Sequence, residues 1–423
     1  MSEIRAAEGG GPAQLPGEDM LQRHRADWGG GLAVRLAAAL CLIGSLAIPA
    51  AAEEVRIGYI GLERGDWEPL AIVDPVIDDN GIQGARLALT DNNTTGQFMG
   101  QEFHLEEAIL PIDGDAVEAV RGLIEGGAEW IVSGLPAEHL QEVLALEEAE
   151  GVTFFNAGAP DDMLRNEGCH ANLFHTTPSR AMLSDALAQF LVHKSWRRWG
   201  LVIGNSEEDR LRADAVRRSA ERYGATITGE VEWPHTALAR RAEGGFHAIQ
   251  REVPVFLQDL PEHDVLVVVD ETDYFGEYFP YQTWIPRPVA GTQGLIATAW
   301  HRAHESWGAN QLQNRFEAQA GRWMTPLDFA AWIAVRAIGE GATRTQSVER
   351  ETVVDFIAGD TFQLGAYLGD PVTFRPWDGQ LRQPILITGP RMVASVSPQE
   401  GFLHPRTPLD SLGDDEPESA CRR

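Results

Sequence analysis

A series of alternating strands and helices runs from residue 55, stops at 172–180 and then starts again. That restart limits the fold more than any other feature of the chain. Before it, strands are expected at 55–60, 102–106, 130–132 and 152–155, with helices at 79–89, 115–125 and 138–148 between them. Val117, Val120, Leu123 and Ile124 lie on one helical face, as an amphipathic helix on a sheet requires. After it come a helix at 179–193, strands at 199–203, 226–231 and 265–269, and a helix at 210–223. Val265-Leu266-Val267-Val268-Val269 has no polar alternation, which marks a strand covered on both faces. Strands separated by helices of this length indicate parallel sheets. The chain therefore reads as α/β with two lobes, and 172–180 is the crossing between them. Pro178 is expected at the first helical position, with Thr177 as N-cap. Further helices are expected at 310–321, 326–339 and 347–358, and a late strand at 384–388. From Pro398 onward the Pro-, Asp- and Glu-rich chain reads as a flexible acidic tail.

The formal net charge is −29, which argues against nucleic acid and anionic membrane surfaces as partners. Arg35 precedes an apolar run at 36–48, followed by Pro49 and Ala50-Ala51-Ala52. This pattern reads as a secretory signal with a cleavage site near Ala52, and the run is short of the roughly 20 apolar residues of a membrane span. Export leaves Cys169 and Cys421. A disulfide between them and two free thiols are both compatible with the sequence.

Motifs for chemistry are missing from the sequence. It has no G-x-S-x-G elbow, and no P-loop or G-x-G-x-x-G follows an expected strand. Residues 91–102 match the spacing of a calcium loop, but the residues that follow alternate as a strand. The reading preferred is a polar helix-to-strand turn made by Gly96. His301 and His304 lie three apart without a third ligand and read as a packing pair.

The series Asp79-Asn80-Gly81-x-x-Gly84, Asp91-x-Asn93-x-x-Gly96, Ile131-Val132-Ser133-Gly134 and Phe155-Asn156-Ala157-Gly158-Ala159 resembles type I periplasmic substrate-binding proteins of ABC transporters, the leucine-binding group. The crossing at 172–180 and the helix Phe329-Ala330-Ala331-Trp332-Ile333-Ala334 resemble the same group. A narrower resemblance, carried by 295–301 and by 374–384, is to the binding proteins associated with PQQ-dependent alcohol dehydrogenase systems. The resemblance implies two Rossmann-like lobes with parallel sheets joined by a three-segment hinge. Lobe one would hold 55–174 plus 300–365 and lobe two 175–290 plus 370–396, with 1–52 a signal and N-terminal extension and 397–423 the flexible tail. It also implies a periplasmic, monomeric, non-enzymatic protein without cofactor or metal. Such a protein would close on a small ligand and deliver it to an inner-membrane ABC permease. A sensor of the same fold, presenting ligand to a receptor, is the alternative.

By this resemblance, lobe one would meet the ligand through Ser133, Gly134, Asn156, Ala157 and Gly158, with Trp67 covering it. Lobe two would offer Asp209, Asp270 and Glu271, while Gln293 and Trp300 lie near the second crossing. Relatives that grip an α-amino group carry an acid where Gln293 stands, so amino-acid binding is in doubt. Each residue also has a structural reading: Ser133 and Asn156 as helix caps, Trp67 packed on its own loop, and Asp270 and Glu271 as a solvated loop. In open α/β sheets the carboxyl ends of strands face the ligand, which favours the loop after Val269.

Overall fold

The computed structural model describes residues 52–63, 75–234 and 246–423. The segment read as an export signal and Trp67 lie outside them. The first half forms strands β1 (Glu53–Leu62), β2 (Gln101–Leu110), β3 (Trp130–Ser133), β4 (Thr153–Asn156) and β5 (Leu173–His175). Between them run helices α1 (Ile82–Met99), α2 (Ala116–Glu125) and α3 (Ala137–Leu144). The five strands form one parallel sheet in the order β2-β1-β3-β4-β5.

The second half begins with α4 (Arg180–His193), β6 (Arg198–Ile203), α5 (Glu207–Tyr223), β7 (Thr226–Glu232), α6 (Phe246–Phe256), β8 (Val265–Val269), β9 (Val289–Gly291) and β10 (Leu295–Thr298). There follow α7 (Ala309–Ala320), α8 (Pro326–Thr345), α9 (Arg350–Ala358), the short pair β11 (Thr373–Phe374) and β12 (Leu381–Arg382), then β13 (Ile385–Gly389) and β14 (Met392–Ser397). The second sheet has seven strands in the order β14-β13-β10-β9-β8-β6-β7. It is parallel through β10, while β13 and β14 add antiparallel strands at one edge.

Helices α7 to α9 return to the first sheet. Leu312, Phe316, Phe329, Ile333 and Ile357 join Val55, Ile57, Val132 and Phe174 in one core. The other face of that sheet packs on α2 and α3 through Val120, Leu123, Leu140 and Val143. The second sheet is covered by α4 and α5 on one side and by Trp233, Val253 and Phe279 on the other. Both faces of β8 are thus buried, as its unbroken apolar run requires.

Three local expectations are corrected. The crossing is itself a strand, β5, paired with β4. Its helix is capped by Ser179, whose Oγ accepts from Met182 N at 3.2 Å, so the N-cap is two residues later than Thr177 and Pro178 lies before the helix. Residues 91–96 are helical, and the left-handed turn out of α1 is made by Gly100 (φ 70°). Gly96 is small for another reason: a Cβ there would lie 2.5 Å from Gln101 O.

The acidic tail is not loose. Leu412 and Cys421 are fully buried, and Cys421 is disulfide-bonded to Cys169. Arg375, 1% exposed, donates to Asp410 at 2.9 Å and to Leu412 O at 2.7 Å. The Arg423 guanidinium lies 4.2 Å from the Phe174 ring centroid. The acids that made this segment look soluble are instead partners of arginines: Asp414 also meets Arg218.

Candidate functional site

The two connections between sheets run side by side. His175 N donates to Gly379 O at 2.9 Å, and Gln380 Nε2 donates to Thr177 O at 3.1 Å. Gln383 Nε2 donates to Thr176 O at 2.9 Å. Buried Arg165 ties both together through Gln380 Oε1 and Thr177 O. Past the β5 ladder, the carbonyls of Thr176 and Thr177 are therefore satisfied by side chains, which suits a narrow joint.

At the carboxyl ends of β8 and β9 lies a cavity of about 460 Å³. Leu183, Arg212, Asp270, Glu271, Asp273, Glu277, Thr292, Gln293 and Ile296 line it. Between β9 and β10 the chain turns in three residues, Thr292 to Gly294, and still enters β10 parallel to β9. Two glycines permit this. Gly291 (φ 118°) and Gly294 (φ 75°) would place a Cβ at 2.0 Å from Val268 O and 2.3 Å from Val289 O. The turn presents Thr292 and Gln293 to the cavity.

Asp270 builds the opposite wall. Its carboxylate accepts from Tyr274 N at 2.9 Å, Phe275 N at 2.8 Å and Gly276 N at 2.7 Å. It is 2% exposed, and burial pushes its pKa up to about 6 against those three hydrogen bonds. Asp209 is equally engaged: it closes a capping box with Ser206 on α5 and accepts from Glu271 N at 2.7 Å. Glu271 meets Arg180 at 2.7 Å, and Arg180 meets Asp161 at 2.7 Å. Asp161 follows β4 and Glu271 follows β8, so this ion-pair chain joins loops of the two sheets. Burial lowers the Arg180 pKa, but Glu271 and Asp161 outweigh it and the net shift is upward.

The lobe-one residues expected at the ligand are occupied by their own backbone. Ser133 and Asn156 are fully buried. Ser133 Oγ accepts from Leu135 N at 3.2 Å. Asn156 Oδ1 accepts from Ala159 N, while its Nδ2 donates to Ala159 O and to His175 Nδ1. The N–H groups of Gly134, Ala157 and Gly158 donate to Ile60 O and Ser133 O. Trp300 is a core residue, stacked on Phe329 at 4.5 Å with Nε1 directed to Gln313. Of the sequence-expected residues, Asp270, Glu271 and Gln293 share the cavity, with Asp209 behind Glu271. Arg212 and Thr292 were missed. Arg212 was hidden among the arginines of a surface-like helix, and nothing in its sequence neighbourhood marks it as buried.

Because Asp270 binds its proton more tightly in the folded state, its stabilising contribution is complete below the ordinary value of 3.8 and is lost as pH rises through about 6. Two pKa units correspond to at most about 3 kcal/mol. Urea midpoints between pH 4 and pH 7.5 are expected to fall for the wild type relative to Asp270→Asn. Parallel pH profiles for the two proteins would show that Asp270 titrates normally.

A family profile described as "Periplasmic binding protein" matches residues 76–241. No curated protein matches the chain. Solved structures do. A branched chain amino acid ABC transporter periplasmic ligand-binding protein from Burkholderia xenovorans superposes with a TM-score of 0.66 at 15% identity, over 87% of this chain and 99% of that one. The leucine-, isoleucine-, valine-, threonine- and alanine-binding protein from Brucella ovis, in a closed conformation, gives 0.61 at 16%, over 86% and 94%. A periplasmic binding protein from Burkholderia mallei gives 0.60 at 16%, over 88% and 99%. The fold is that of type I periplasmic binding proteins. In such a fold the Asp161–Arg180–Glu271 chain and the paired crossings lie where two lobes meet.

Proposed function

We propose that this chain is an exported, periplasmic solute-binding component of an ABC transporter, monomeric and non-enzymatic. It closes on a small ligand between a lobe of 55–174 with 300–365 and a lobe of 175–290 with 370–396, and hands it to a permease. The observation that carries this reading is the polar cavity at the carboxyl ends of β8 and β9, beside a joint of paired crossing segments. Closure would be a hinge motion biased by a ligand that prefers the closed form. Structural neighbours from Burkholderia xenovorans and Brucella ovis carry names of branched-chain or small amino-acid binders. Here the neutral Gln293 donates to Asp273 at 2.9 Å, which leaves an α-ammonium a poorer partner at that position. The association with PQQ-dependent alcohol oxidation rests on the resemblance at 295–301 and 374–384.

A thermal-shift screen of short alcohols, acids, amino acids and redox cofactors tests the reading. A ligand at 100 times its dissociation constant is expected to add about 2.7 kcal/mol. It should also shrink the radius of gyration in small-angle scattering. A ligand that stabilises without compaction would argue against closure, and a screen without any hit against solute binding.

A further inference from the structure

We propose that Arg212 is the anion-reading residue of this cavity, and that the ligand is a small hydroxylated carboxylic acid. The inference deepens the solute-binding reading and rests on it. Four arginines are buried among the described residues: Arg165, Arg180, Arg212 and Arg375. Three are held. Arg165 donates to Gln380 Oε1 and the carbonyls of Ala159, Asp161 and Thr177. Arg180 pairs with Glu271 and Asp161, and Arg375 with Asp410 and nearby carbonyls. Arg212 is 5% exposed, lines the cavity, and donates no hydrogen bond among the described residues.

A guanidinium remains charged in proteins. Leaving one buried without a protein partner is unfavourable. Burial accordingly lowers its pKa, with Glu271 and Asp162 opposing and Arg180 reinforcing. Its planar fork of donors matches a carboxylate in bidentate geometry. A ligand carboxylate would supply the missing partner.

The other charged groups narrow the class. Asp270, Glu271, Asp273 and Glu277 line the same cavity, so an anion that offers only acceptor oxygens meets repulsion on that side, and the rest of the ligand has to donate hydrogen bonds there. These acids are already engaged: Asp270 by three N–H groups, Glu271 by Arg180 and Asp273 by Gln293. Asp270 and Glu271 retain lone pairs for a hydroxyl, which needs one acceptor, more readily than for an ammonium, which needs several. Leu183 and Ile296 give an apolar wall for a short carbon chain.

Matched triples separate these chemistries: glycolate, lactate and glycerate against ethylene glycol, propane-1,2-diol and glycerol, and against glycine, alanine and serine. By calorimetry on the mature protein, at least one acid is expected to bind tenfold or more tightly than its diol and its amino acid. Arg212→Gln should lose at least tenfold in that affinity, and Arg212→Lys should recover part of it. Without ligand, Arg212→Gln should melt no lower than the wild type, because it removes an unpaired buried charge. A marked drop in melting temperature, or unchanged acid affinity in Arg212→Gln, would overturn the assignment. Diols or amino acids binding where acids do not would overturn it too, yet leave solute binding intact. Silence from all nine compounds rejects the hydroxy-acid ligand, while the broader screen still decides whether the cleft binds a solute.

Discussion

Replacing Cys421 with serine is expected to cost about 4 kcal/mol of stability. Disulfide removal typically costs about 2–5 kcal/mol, more for longer loops in the chain-entropy view. The Cys169–Cys421 bond closes a separation of 252 residues, which places it toward the upper end. More than the bond is involved. Between Asp410 and Arg423 the tail touches groups that follow both sheets. It meets Asn166 and Ala171 beside the disulfide, and Asp185 and Arg218 on α4 and α5. Burial pushes the Asp185 pKa up, yet Arg218, Ser219 and the Gly413 N–H all favour its charged form. A freed tail would expose that carboxylate's partners to exchange. In a chain of this size the loss should appear as a fall of about 5 °C in melting temperature. The double variant Cys169→Ser with Cys421→Ser should match either single one, because both remove the same bond. A single variant within about 1 °C of the wild type would show that the tail holds without its covalent tie.

The parts of the fold that were legible in the sequence are those set by apolar periodicity. Val265–Val269 is a strand with the same bounds, because a run of five branched and apolar residues has no exposed face to offer. Helix α2 could be read from Val117, Val120, Leu123 and Ile124, with Asp115 capping it through Glu118 N. What remained hidden depends on partners far along the chain. Strand β5 is three residues long, pairs with β4, and has its last N–H, that of His175, bonded to Gly379 O far along the chain. The tail's acids spelled solubility until Arg218, Arg375 and Arg382 were placed beside them. At the site, strand-end logic found the loop of Asp270 and Glu271 but not what Asp270 does, since three backbone donors from its own loop cannot be inferred from an acidic neighbourhood. Arg212 was invisible because α5 carries four other arginines and reads as an exposed face, while its own position turns inward.

The motif Asp79-Asn80-Gly81-x-x-Gly84 proves to be a packing device, and Asp328 is its centre. Asp328 is fully buried at the N3 position of α8. One carboxylate oxygen accepts from Gly81 N at 2.7 Å and the other from Thr325 N at 2.9 Å. Arg322, whose side chain is 10% exposed, binds both oxygens and also reaches Asp79 at 2.8 Å. Asn80 Oδ1 accepts from Thr325 Oγ1, which ties the same turn to the helix cap. Gly84 must be small because a Cβ would lie 1.8 Å from Asp328 O, so α1 and the start of α8 meet backbone to backbone. Removing one partner from a buried ion pair costs about 3–5 kcal/mol, and loss of the capping box adds about 1 kcal/mol. Asp328→Ala is therefore expected to lose about 4 kcal/mol or more in urea unfolding, seen as a lower midpoint at unchanged slope. Asp328→Asn keeps the shape and part of the cap and should lose about half as much. A loss under about 1 kcal/mol for Asp328→Ala would mean that Arg322 and Gly81 N find other partners, and that the helix pair does not depend on this carboxylate.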